Sequence, residues 1–522
     1  MADADVTHMR GDSDRRTGTV MHSLSATDST FRPALLLMSG RTVGFVATFF
    51  VPVVLARVVD QSDFGTYRLF FLIYSTLCIM TQFGMAESLF YFLPGAGETA
   101  GRYVANSFVF LAAAGGVCYA LLEMANGAIS RWLHNDALPQ YMTLLAAFLG
   151  LMLASAGLEI VMTARRRYLW ASASYGASDV ARAAFLIVPA VLLGRLDAVL
   201  AGAVAFALLR LAATLGYFAH AFRRTMRVDA RLLGEQLLYA GPFSLAIVLE
   251  TLQGHFHQYA VSYSFDAATF AVYSVGCLQI PFVDTVATST WRVLMVRMAE
   301  ARREGRQDRM LELWHDATRK LALVFFPLVA MLLVAAHEVI ILTFTEQYGA
   351  SVPVFMISTT AIALSFLATD GVLRVYAQTG FLMALNAVRL VLVAALFALF
   401  VAIFHLPGAM LAAVLAGAVA KGLALVRISR LMGVGVDRLL PWRSLGATAI
   451  AAAIAALAGL TAKAFLGGTP LSALTAATVA AAVVYAALAL RLGLLREGER
   501  VTLTGWRHGL VGRAHATARS KD

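Results

Sequence analysis

Glu250, Gln253, Gly254 and His257 fall at i, i+3, i+4 and i+7 of an otherwise apolar run, so they share one face of a helix. A carboxylate and an imidazole two turns apart, about 10.5 Å at the helical rise, can pass protons through water and can hydrogen-bond hydroxyl groups. The same stripe can equally close into a network between helices. Arg41, Arg68, Arg292 and Asp284 also stand inside apolar runs. An ionisable group at such depth in a bilayer costs about 2.5 to 3.5 kcal/mol, so each needs a partner, an aqueous cavity or a short route to the interface. Arg41 lies about 10 Å along its run, beside the Gly40 and Gly44 pair that favours close helix approach. Arg68 opens one run and Arg292 nearly closes another, so both can also snorkel to head groups.

The remaining charges in apolar runs have a more structural pattern. Asp179 with Arg182 and Asp370 with Arg374 stand three and four residues apart, where pairing within a helix lowers their cost. Lys421 and Lys463, in Ala-rich late runs, are expected to snorkel, and Glu87 and Glu159 near run ends stay open between the two roles. Cys78, Cys118 and Cys277 all lie in apolar stretches without CxxC spacing. The histidines have no ligand partner at helical spacing. No metal site and no cofactor is therefore expected.

The elements that position these groups follow from composition. With 60% hydrophobic and 14% charged residues in 522, the chain lacks the polar surface a soluble domain needs. Its apolar runs of about 20 residues match helices crossing a core of roughly 30 Å, whereas barrel strands would alternate. The expectation is an all-α polytopic membrane protein with about 14 transmembrane helices. They are placed at 34–56, 66–93, 103–122, 138–163, 171–193 and 198–220, then 237–263, 269–295, 321–343, 351–373, 383–404 and 407–426, and finally 444–466 and 470–490. Taking the N-terminus as inside, the inner segments carry 31 Lys and Arg and the outer links three, so the positive-inside rule puts both termini in the cytoplasm. A net charge of +11 spread over many short loops is a topological signal and does not indicate nucleic acid. Met310, Leu313, Trp314 and Ala317 in the longest inner link predict an interfacial amphipathic helix.

The eight residues DQSDFGTY, Asp60 to Tyr67, return in outline 206 positions later in DAATFAVY, where Asp266, Phe270, Ala271 and Tyr273 repeat Asp60, Phe64, Gly65 and Tyr67. A parallel repeat of this length suggests two six-helix half-bundles with a pathway between them. The expected organisation is a disordered cytoplasmic tail over 1–33, an N-terminal half over 34–221 and a cytoplasmic linker over 222–236. A C-terminal half over 237–426, two further helices within 427–492 and a cytoplasmic tail over 493–522 complete it. No outer link offers paired carboxylates where a sugar-transfer reaction could be housed, so an enzyme is not expected.

Three stretches carry a family resemblance. They are VPVVLARVVDQSDFGTYRLFFLIYSTLCIMTQFG (Val51 to Gly84), FAVYSVGCLQIP (Phe270 to Pro281) and ILTFTEQYGASVPVF (Ile341 to Phe355). With the helix count they resemble the polysaccharide-transporter branch of the multidrug/oligosaccharidyl-lipid/polysaccharide exporter superfamily, the O-antigen and exopolysaccharide flippases. That resemblance implies translocation of an undecaprenyl-diphosphate-linked oligosaccharide across a bacterial inner membrane, with membrane lipids, a polysaccharide polymerase and a chain-length regulator as expected partners. It makes Arg41, Arg68, Arg292 and His257 the candidates for contact with the diphosphate and glycan, and Glu250 and Asp284 the candidates for ion coupling. The resemblance also implies an acidic residue about sixteen positions before Tyr273, where this chain has His257 and Gln258. A drug or organic-cation/proton antiporter is the alternative; it would call for twelve helices and an acidic, aromatic cavity.

Overall fold

The computed structural model describes Thr42 and residues 44–495, and it is helical throughout those residues, with no strand among them. Ten helices are long and apolar enough to cross a membrane, eleven if a pair bent by 44° beside Pro242 counts as one span. Among the described residues the predicted runs lie mostly in helix, the first from Gly44 onward, while length and apolarity count ten or eleven spans where the sequence predicts about fourteen. The tails over 1–33 and 496–522, and Arg41, lie outside the described residues. The chain divides into two compact units, the first running to Thr251 with Asp266–Ala268 added, the second comprising Leu252–Phe265 and everything from Thr269.

Unit 1 contains α1 (Gly44–Val58), α2 (Gln61–Gln82), α3 (Met85–Phe92), α4 (Ala100–Trp132), α5 (Leu138–Ala154) and α6 (Leu158–Ala164). It continues with α7 (Tyr168–Leu193), α8 (Leu196–Phe222) and the first part of α9 (Ala230–Ser264). Asp60 starts α2 as its N-cap, its Oδ1 accepting from the Asp63 amide at 2.7 Å, which supplies one of the donors a helix start leaves unmet. The next turn, Phe64 to Tyr67, is buried, and Gly65 sits where a Cβ would collide with the Ala267 carbonyl. Gly65 and Ala267 therefore meet backbone to backbone within unit 1, and only a glycine permits that approach. Packing in the interior is aromatic: Phe70, Phe71 and Tyr74 of α2 surround Phe148 of α5 at centroid distances of 6.1, 5.7 and 4.6 Å.

Unit 2 takes the end of α9 and most of α10 (Ala267–Gly276), followed by α11 (Pro281–Arg303), α12 (Gln307–Val334), α13 (Ala336–Phe344), α14 (Val352–Leu364) and α15 (Thr369–Val375). Then come α16 (Thr379–Met432), α17 (Val436–Leu439), α18 (Trp442–Leu466) and α19 (Pro470–Arg491). His405, at φ 53° and ψ −137°, breaks α16 into two helices just before Pro407, so the predicted link between 404 and 407 is a kink without a polar loop.

The second and fourth predicted runs of both halves are interrupted. The run 66–93 breaks at Phe83 and Gly84, both at positive φ, and its counterpart 269–295 breaks between Gly276 and Pro281. The run 138–163 breaks at Ser155–Gly157, and its counterpart 351–373 between Leu364 and Thr369.

One expected element differs. The stretch with Met310, Trp314 and Ala317 is not a separate interfacial helix but the first turns of α12, and its apolar face is buried against Ile428, Leu439 and Leu440. Trp314 Nε1 donates to the Leu439 carbonyl at 3.0 Å. Burial among protein side chains satisfies this face as well as lipid would, and α17 supplies an acceptor for the indole.

Candidate functional site

The basic residues inside apolar helices sort by their partners. Arg210 of α8 grips Glu159 of α6 with both arms, Nη1 to Oε1 at 2.9 Å and Nη2 to Oε2 at 2.7 Å, while Ser174 donates to Oε1 at 3.0 Å and Ser178 also meets Nη1. The Glu159 side chain is only 2% exposed, so this charge stays in the interior because the planar guanidinium matches both its oxygens. Arg182 pairs with Asp179 at 2.8 Å and reaches the Thr48 hydroxyl at 3.2 Å, as their spacing predicts. The pairing expected between Asp370 and Arg374 does not form. Asp370 is instead bound by Lys421 of α16 at 3.3 Å, and Lys421 also donates to Thr369 Oγ1 at 2.9 Å and the Leu367 carbonyl at 3.1 Å.

Lys463 does not snorkel either. Its Nζ lies 2.7 Å from Glu338 Oε2 and 3.1 Å from the Val334 carbonyl, tying α18 to the α12–α13 junction. Four intramembrane cations, Arg182, Arg210, Lys421 and Lys463, are thus neutralised by carboxylates and serve the fold.

The predicted site residues are distributed as follows. Arg68 is half-buried in the second turn of α2 in unit 1. Glu250 is exposed on α9, at the last residues of unit 1. Arg292 and Asp284, both on α11 in unit 2, are exposed and have no hydrogen-bond or ion-pair partner among the described residues. His257 is on the unit 2 part of α9, and its Nδ1 is 2.7 Å from the Tyr273 hydroxyl of α10, with the rings edge to face at 5.8 Å. The position where the resemblance implies an acid thus holds a neutral-capable imidazole fastened to the tyrosine of the repeated motif. Gln253 is buried one turn before it.

Sequence reasoning passed over Arg389. It stands on α16 within electrostatic reach of His257, and one of its terminal nitrogens is 3.7 Å from where a Cβ on Gly417 would stand. The signal was present, since Arg389 is one of few basic residues in an apolar run, but no residue near it in sequence announces a partner. Unit 2 also has an apolar cleft of about 650 Å³ between α12, α14 and α18, lined by Phe326, Val329, Met356, Ala453 and Leu460 among others. Among the described residues no group of three or more His, Cys, Asp or Glu could hold a metal ion.

Helices of this length and apolarity, with paired charges held among them, define a polytopic helical membrane protein. The fold is similar to that of a lipid II flippase, MurJ, in an inward closed conformation, with a TM-score of 0.68 at 11% identity over 87% of this chain and 98% of that one. It is also similar to a multidrug-resistance MATE-family transporter of the MOP superfamily in an inward-facing conformation, with a TM-score of 0.58 at 15% identity, covering 77% and 98%. A MOP-superfamily transporter from Pyrococcus furiosus matches with a TM-score of 0.51 at 14% identity, covering 77% and 94%. No curated protein matches the chain in sequence. Residues 54–353, more than half of the chain, match the family described as polysaccharide biosynthesis protein, and the chain belongs to that family.

Proposed function

We propose that the protein is a flippase that moves an undecaprenyl-diphosphate-linked oligosaccharide from the cytoplasmic to the periplasmic leaflet of a bacterial inner membrane by alternating access of its two halves, for O-antigen, capsule or exopolysaccharide synthesis. The observation that carries the reading is the sorting of intramembrane cations in a chain of a polysaccharide biosynthesis family: four are neutralised by carboxylates, whereas Arg292 has no acidic partner among the described residues. A guanidinium left open on an apolar helix suits a diphosphate, whose oxygens accept its parallel N–H groups. Arg41, Arg68, Arg389 and His257 are the further groups assigned to head-group and sugar contact. The apolar cleft beside α18 gives a polyprenyl tail a surface of matching chemistry.

In this reading Glu250 and Asp284 couple transport to an ion gradient. Both termini lie in the cytoplasm, and a polymerase and a chain-length regulator act downstream.

The alternative, a drug or organic-cation antiporter, needs carboxylates free to meet a cation. Four of the intramembrane acids, Glu159, Asp179, Glu338 and Asp370, are tied to Arg or Lys, and the exposure of Asp284 and its lack of a partner among the described residues favour this alternative. Flipping of a polyprenyl-diphosphate oligosaccharide in proteoliposomes separates the two. Arg292→Ala is expected to lower the rate at least tenfold with unchanged thermal stability, and Asp284→Asn to alter only its dependence on an imposed pH step. Wild-type flipping by Arg292→Ala, or uptake of organic cations that Asp284→Asn abolishes, would overturn the proposal.

A further inference from the structure

Three segments of unit 1 converge at one end of its helices: the entry to α4, the α6–α7 turn and the α8–α9 connection. Arg165 places its guanidinium 4.9 Å from the centroid of Phe222, Gly101 packs against Thr225, and Arg102 pairs with Asp229 at 3.2 Å. Asn106 fixes the connection from two sides, donating to the Asp229 carbonyl and accepting its amide, each at 2.9 Å.

These segments carry eight arginines against Glu98, Asp229 and Glu235. Asp229 and Glu235 are engaged by Arg102 and Arg231. Arg165, Arg166, Arg167, Arg223, Arg224 and Arg227 are all exposed, and none has a carboxylate partner among the described residues. In unit 2 some basic residues between α11 and α17 are paired, Arg306, Arg309, Lys320 and Arg438 with Glu304, Glu312, Asp316 and Asp437, while Arg297, Arg302 and Arg303 of α11 have no carboxylate partner among the described residues. Topological bias toward basic loops accounts for arginines at such ends, but not for the contact that brings the Arg165–Arg167 turn against the Phe222–Arg227 connection and so gathers six exposed guanidinium groups.

The backbone adds an independent sign. Arg166 adopts φ 60° at the end of α6, its amide donating to the Thr163 carbonyl and that of Arg167 to the Met162 carbonyl, each at 2.9 Å. That pattern closes a helix with the left-handed residue that is usually glycine. Here an arginine occupies it, and a residue held in a sparsely populated conformation points to a use for its side chain. Immediately beyond the turn, Leu169 and Trp170 are 64% and 65% exposed.

Guanidinium groups beside an exposed indole and leucine match a membrane surface, with phosphates at one level and acyl carbon just below. We infer that the α6–α7 turn and the α8–α9 connection of unit 1 form a binding site for the phosphate groups of anionic phospholipid. The site does not depend on the substrate proposed above.

The test uses the purified full-length protein in neutral detergent, with phosphatidylglycerol or phosphatidylcholine added, reading the thermal midpoint and, by native mass spectrometry, retained lipid. Phosphatidylglycerol alone is expected to raise the midpoint of the wild type. Apparent affinity should fall roughly fivefold for each guanidinium removed in the Arg165→Gln, Arg166→Gln, Arg167→Gln series and in the Arg223→Gln, Arg224→Gln, Arg227→Gln series. Arg309→Gln, which removes a guanidinium already paired with Glu312, should leave it unchanged. Arg166→Gly relieves the backbone while deleting one charge, so it should stabilise the lipid-free protein yet weaken the lipid response, which keeps the test informative if a triple variant fails to fold. An equal response to phosphatidylcholine, an equal response to inorganic phosphate alone, or an undiminished phosphatidylglycerol response in the glutamine variants would overturn the site. The last of these would leave an acidic protein as the occupant of this face.

Discussion

Lys463→Met is the substitution on which sequence and structure disagree most. As a snorkelling side chain, Lys463 would lose little on truncation. In the fold its ammonium is 2.7 Å from a Glu338 carboxylate whose side chain is 6% exposed, and it also serves the Val334 carbonyl. Removing the cation leaves Glu338 in the interior without its charge partner. Breaking a buried pair from one side costs about 3 to 5 kcal/mol, and because the Lys463 side chain is 27% exposed solvent screening brings the cost to the bottom of that range or just below it, about 2 to 3 kcal/mol. Removing both charges takes away the stranded carboxylate, so Glu338→Gln with Lys463→Met should recover to within about 1 kcal/mol of the wild type. The assay is reversible unfolding in mixed micelles followed by circular dichroism, with the four proteins of a double-mutant cycle. If Lys463→Met unfolds within about 0.5 kcal/mol of the wild type, or if the double variant is as unstable as the single one, the pair contributes nothing and Lys463 reaches the interface after all.

Tyr273→Phe should cost about 1 kcal/mol by deleting the hydroxyl that meets His257, and adding His257→Phe should cost little more, because the two groups share one hydrogen bond; additive losses in the same assay would separate them. Asp229, outside the membrane helices, has its carboxyl held below the usual carboxylate range, first by the Leu232 amide and then by the Arg102 guanidinium. A depressed folded value favours the native state above the unfolded value, near 4, and the benefit is lost as pH falls through the lower folded value. Asp229→Asn should therefore be less stable than the wild type at neutral pH and equal to it in strong acid. A gap between the two proteins that stays constant through the acid range would refute the assignment.

The sequence by itself determined that the chain crosses a membrane as helices, because a bilayer forces every span to be apolar and every backbone group to bond within it, and both demands are written locally. Interactions between near neighbours were legible for the same reason: Asp179 and Arg182 share a helix face, and the motif from Asp60 to Tyr67 carries its own cap. His257 and Tyr273 were close to legible, since a hairpin of sixteen residues can bring only a few positions together. Tertiary structure alone decided which charges are structural. Arg210 finds Glu159 across 51 residues, Lys421 finds Asp370 across 51 and Lys463 finds Glu338 across 125, and hydropathy contains nothing that selects one distant partner over another. It also decided that the apolar face at Trp314 meets protein and not lipid, because both are equally apolar solvents for such a face and only the position of α17, with a carbonyl for the indole, distinguishes them.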